Sequence, residues 1–160
     1  MVTQQIEQKL REGFLIHAFR SGGGLRVLRL EDRSFDSTGK VIRGSSGNLY
    51  GYGEAPSVED AIAYLEEDIE HGGRPYDQVY GKIHPHYWTG SSSASSELDR
   101  WLLRGGSFDA WFDGEYEFVC RGMSYNDNIQ PITKSAHAPF LLEALNSMLI
   151  AEEVVFESKA

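Results

Sequence analysis

His84-Pro85-His86 is the stretch whose residue types come closest to chemistry. Two histidines at alternate positions of an extended segment point the same way, and paired imidazoles suit Zn²⁺ or another borderline divalent metal. A complete site needs a further ligand, for which His71, Asp77 and Asp99 are the candidates. Tyr76, Tyr80, Tyr87 and Trp88 flank the pair and would line a pocket or meet a partner. No helical His-Glu-x-x-His and no paired cysteines reinforce the metal, so an aromatic loop packed on a sheet is the weightier expectation. The cofactor expectation is accordingly none, with a divalent metal as the alternative.

Cys120 is the single cysteine, followed by Arg121, with His17 or His137 as a conceivable base. A thiolate nucleophile needs surroundings that lower its pKa, and alternation along a strand makes Cys120 as readily a small buried hydrophobe. Gly22-Gly23-Gly24 would cradle an anion only if a helix followed; a strand follows, so a hairpin turn is expected. Arg20, Arg26, Arg29 and Arg33 form a local basic patch, available to an acidic ligand or to the protein's own carboxylates.

Carboxylates gather in two places. Glu59, Glu66, Glu67, Asp68 and Glu70 share one amphipathic stretch, and Asp109, Asp113, Glu115 and Glu117 share a hairpin. Acid–base chemistry needs paired carboxylates in different environments, which spacing alone does not supply here. Glu66, Glu67 and Glu70 read instead as a docking face for a basic partner, weighed against plain solvation. Asn126-Asp127-Asn128 lacks the alternating ligands and downstream Glu of a calcium loop.

The elements that would position these groups follow from periodicity and punctuation. Thr3 to Glu12 predicts a short helix stopped at Gly13; Phe14 to Phe19 and Leu25 to Leu30 predict a hairpin. Lys40–Arg43 and Asn48–Tyr52 add one or two strands. Val58, Ala61, Ile62, Leu65 and Ile69 repeat at helical spacing behind Pro56 and the cap Ser57, with Gly72-Gly73 as the stop. After an irregular stretch ending in Ser91-Ser92-Ser93-Ala94-Ser95-Ser96, Glu97 to Arg104 predicts a third helix. Phe108 to Arg121 predicts a hairpin about Asp113-Gly114, pairing Phe112 with Glu115, Trp111 with Tyr116 and Phe108 with Val119. Asn126 to Ser135 reads as loop, Pro139 opens a last helix, and Val154-Val155-Phe156 extends it or closes as a strand.

The expected class is α+β: an antiparallel sheet of about five strands with three or four helices, and two related αβ(β)βα halves as a hint in the element order. The αβββα order of the first half resembles the double-stranded RNA-binding domain in order alone. That family carries lysines at the start of its second helix, whereas this chain has Ser57-Val58-Glu59-Asp60. The whole chain, 1–160, fits a single domain, with 89–96 as the candidate subdomain junction.

Composition narrows the classes. A net charge of −9, from 24 acidic against 15 basic residues, opposes the phosphate neutralisation that dominates nucleic-acid binding. One cysteine excludes an internal disulfide and fits a reducing, cytoplasmic setting; no apolar run suits a membrane span. The expectation is therefore a non-catalytic acidic binding or regulatory module that docks a protein partner. The alternatives are a small metal-dependent hydrolase centred on His84 and His86, or a small-molecule binder using Trp88, Trp101 or Trp111.

Overall fold

The structure, a computed structural model, describes residues 4–32, 34–35, 41–42, 49–72, 96–114 and 117–155. Its class is the α+β expected, with more strands than the sequence suggested. α1 (Gln4–Arg11) leads into the hairpin β1 (Phe14–Arg20) and β2 (Arg26–Asp32); β3 (Ser34–Phe35) and β4 (Val41–Ile42) pair with each other. β5 (Leu49–Ala55) then precedes α2 (Val58–Glu70). The second half runs α3 (Glu97–Leu103), β6 (Ser107–Phe112), β7 (Phe118–Tyr125), β8 (Pro131–Ala138), α4 (Leu141–Ile150) and β9 (Val154–Val155). Seven strands form one antiparallel sheet in the order β5-β2-β1-β6-β7-β8-β9. No described helix is long and apolar enough to cross a membrane.

All four described helices cover one face. Ile16, Ala18, Leu28, Leu30, Phe108, Ala110, Phe118 and Cys120 point into a core closed by Ile6 and Leu10 of α1, Ala61 and Leu65 of α2, Trp101 and Leu102 of α3, and Leu145 and Met148 of α4. Each buried Leu or Ile contributes about 1.5–3 kcal/mol of transfer free energy. Close approach is set by glycines: a Cβ at Gly53 would run into the backbone carbonyl of Ala61, and one at Gly122 would lie 2.6 Å from Met148 Sδ.

Two expectations are corrected. Of the expected loop Asn126–Ser135, residues 131–135 belong instead to strand β8; Asn126 Oδ1 accepts from the N–H groups of Asn128 and Gln130, closing the β7–β8 turn and leaving the rest free to pair. The β6–β7 turn is also longer than two residues. Asp113 N–H donates to the Glu117 carbonyl, and Phe112 pairs with Phe118, Trp111 with Val119 and Phe108 with Gly122. The shorter register would have put Glu117 opposite Ala110 on the core face. The longer turn puts Cys120 there and stacks Phe112 edge-on against Phe118, centroids 5.1 Å apart.

The halves repeat residue by residue. Leu10 and Gly13 end α1 as Leu102 and Gly105 end α3, and both glycines hold positive φ, 107° and 99°. Ala55-Pro56 precedes Val58, Ala61, Ile62 and Leu65; Ala138-Pro139 precedes Leu141, Ala144, Leu145 and Met148, and both quartets are buried. Strand registers agree as well: Ala18 pairs with Leu28 and Leu28 with Gly53, while Ala110 pairs with Cys120 and Cys120 with Ala136. β1 and β6, the equivalent strands, pair antiparallel as Ile16–Ala110, His17–Asp109 and Ala18–Phe108. A local two-fold axis therefore passes between His17 and Asp109.

The same symmetry governs the helix starts. Asp99 of α3 accepts from Val58 N–H, the first residue of α2 (3.2 Å), and Glu7 of α1 accepts from Leu141 N–H, the first residue of α4 (2.8 Å). Each half thus caps the helix of the other with a carboxylate at the equivalent position, favourable for the helix dipole. Asp99 also receives Arg26 Nε at 2.6 Å, with both side chains fully buried.

Candidate functional site

Along each strand side chains alternate, so residues next to the core positions form a second face that carries none of the described helices. One row crosses it: Tyr52, Arg29, His17, Asp109, Arg121 and Ser135 are successive register partners on β5, β2, β1, β6, β7 and β8. Arg29 and Arg121 are equivalent under the two-fold axis, and His17 and Asp109 are the pair on it.

The chemistry of the row is ionic. His17 Nδ1 lies 2.8 Å from Asp109 Oδ1; a carboxylate only accepts, so Nδ1 carries the proton and donates. His17 also stacks on Phe19, centroids 5.2 Å apart. Arg121 Nη2 stands 3.6 Å from Asp109 Oδ2, beyond ordinary hydrogen-bond range, with its guanidinium carbon 5.6 Å from the centre of the Trp111 ring. Arg29 Nε donates to Glu31 Oε1 at 2.5 Å. At the next row His137 Nδ1 pairs with Glu117.

Burial divides this face. Leu15, His17, Val27, Glu31 and Asp109 are buried, whereas Met123 and Tyr125, further along β7, are 39% and 65% exposed. Trp111 and the Arg121 side chain lie between, half-buried. Every exposed large hydrophobic among the described residues falls between Met123 and Val155, in the second half.

The sequence candidates fare unequally. Tyr76, Tyr80, His84, His86, Tyr87 and Trp88 lie outside the described residues, as does Asp77. Among the described residues no group of three or more His, Cys, Asp or Glu could hold a metal, and Asp99 is engaged by Arg26. Glu66 is half-buried on α2, while Glu67 and Glu70 are exposed. Cys120 faces the core, where burial pushes its thiol far above the usual range and away from thiolate chemistry. Of the basic patch, Arg26 and Arg29 are paired with Asp99 and Glu31, and Arg20 donates to the Leu103 carbonyl. Trp101 is buried and donates to the Ser107 carbonyl; Trp111 is the one of the two on the second face.

The row itself was missed. Its signal was the odd parity of His17, Arg29, Asp109 and Arg121 among apolar neighbours, readable only once the β6–β7 register is right. Comparison with protein-family models, with curated proteins and with solved structures found no match.

Proposed function

We propose that this protein is a non-catalytic binding module of a reducing compartment that docks a protein partner with its second half. One observation carries the reading: positions that are polar or acidic in the first half become exposed and apolar at their equivalents in the second. Glu31 is matched by Met123, Ser57 by Phe140, Glu59 by Leu142 and Glu67 by Ile150, the second of each pair exposed. Glu31 is itself buried, but Ser57, Glu59 and Glu67 lie outside the core that both halves must bury, so their apolar replacement has no purpose in folding. Of the apolar replacements, Met123 lies on the helix-free face of the sheet with Trp111 and Tyr125, whereas Phe140, Leu142 and Ile150 belong to the α4 segment on the other side. Exposed apolar surface costs solubility unless a partner covers it.

Trp111, Arg121, Met123 and Tyr125 on the second face belong to the residue types enriched in protein interfaces. The acidic face of α2, with Glu66, Glu67 and Glu70, belongs to the solvated half. It acts as a long-range field that steers a basic region of the partner rather than as the contact surface. Co-purification of tagged protein from its own cells tests the proposal. A partner retained by the wild type and lost from a folded Trp111→Ala/Tyr125→Ala double variant is the expected result. A partner retained equally by both, or no partner at any salt concentration, would overturn it.

A further inference from the structure

The first half supplies an internal template for what the second half lacks. On β2, Arg29 and Glu31 lie two residues apart on the same face, and Glu31 Oε1 receives Arg29 Nε at 2.5 Å. On β7 the equivalent arginine is Arg121, and the equivalent of Glu31 is Met123. Strand register fixes both correspondences: Arg29 pairs with His17 and Glu31 with Leu15, as Arg121 pairs with Asp109 and Met123 with Ser107. A thioether cannot accept as a carboxylate does. Consistently, Arg121 Nε is buried and has no hydrogen-bond partner among the described residues, and its sole ion pair, with Asp109, is long at 3.6 Å. Asp109 is meanwhile held by His17 at 2.8 Å.

The geometry points to Arg121 as a receptor for one carboxylate of the partner, taking the place that Glu31 fills on Arg29. This rests on the docking proposal above and names its polar contact. The occupant is an Asp or Glu side chain of a protein segment that is otherwise apolar. Met123, the next residue on the same face of β7, and Trp111 on the neighbouring strand flank the guanidinium with apolar surface, Tyr125 lies further along β7, and the chain's net charge of −9 opposes a polyanionic ligand. A carboxylate on the Nε and Nη edge makes two parallel charge-assisted hydrogen bonds. Because Nε is covered, docking requires Arg121 or Met123 to change rotamer, which their partial exposure permits.

Side-chain Nε–H spectroscopy of ¹⁵N-arginine-labelled protein tests this with two blocked peptides, Ac-Val-Leu-Asp-Leu-Val-NH2 and its Asn counterpart. The Arg121 signal should shift saturably with the Asp peptide, with affinity at least about ten-fold above the Asn peptide. Met123→Glu copies the first half, gives Arg121 its own carboxylate, and should abolish the shift while leaving the thermal midpoint unchanged or higher. Arg121→Gln provides a second variant in which Asp and Asn peptides should bind alike. Equal binding of both peptides to wild type, or Asp-peptide binding untouched by Met123→Glu, would overturn the carboxylate assignment and leave docking through Trp111 and Tyr125 standing. An Arg121 signal unmoved by either peptide at millimolar concentration would likewise overturn it.

Discussion

Arg26 and Asp99 show how a single pair can hold three elements at once. Arg26 sits on β2, Asp99 on α3, and the same carboxylate caps α2 through Val58 N–H. Removing one partner strands a buried charge, so Asp99→Ala should cost about 3–5 kcal/mol in denaturant unfolding. Glu7, its equivalent, caps α4 at a half-buried site, and Glu7→Ala should cost only about 1 kcal/mol. Cys120 supplies a chemical check at the same scale. Its buried, protonated thiol should resist a disulfide reagent in the folded protein and react fully once urea unfolds it. Rapid labelling under native conditions would show that the core side of β7 is accessible.

At the scale of elements, much was legible and the failures have physical causes. Ser57 and Ser96 are N-caps whose hydroxyls accept from the N–H groups of Asp60 and Asp99; Ser57 ahead of apolar periodicity located α2, whereas Ser96 is hidden in the sequence as the end of a serine run. Asp113-Gly114 located a hairpin but not its register. Core burial of Phe118 and Cys120 outweighed the two-residue turn preference. Residues 131–138 escaped because Lys134, Ser135 and His137 carry little strand propensity, and pairing with β7 and packing against α4 supply the stability instead. Glycines at equivalent ends give a test of the repeat. Gly13 and Gly105 share positive φ with open space around them, so Ala at either should cost a similar amount, about 1–2 kcal/mol, by thermal melting. Gly53→Ala should cost more, since its Cβ meets the α2 backbone. A silent Gly53→Ala would mean that α2 does not lie so close to β5.

For the whole molecule, the paired halves explain why function was hard to read. The element order hinted at duplication, yet apart from Arg29 and Arg121 the shared residues fall mostly on helix stops and buried positions, such as Ala55-Pro56 with Ala138-Pro139 and Leu10 with Leu102. The surfaces diverge, and the candidate site lies where they diverge: Arg29 is satisfied by Glu31, while Arg121 stands beside Met123. The acidic face of α2 drew notice in the sequence because charge is visible there, whereas exposure of Tyr125 or Ile150 is not. If α2 only steers, Glu67→Lys/Glu70→Lys should lower the association rate at low salt by several-fold and leave dissociation unchanged. The most direct test places a photo-crosslinking residue at Tyr125 in one variant and at Glu67 in another, with irradiation in cells. Docking through the second half predicts a discrete adduct from position 125 that disappears when Trp111→Ala is added, and none from position 67. Adducts from position 67 with none from position 125 would contradict it.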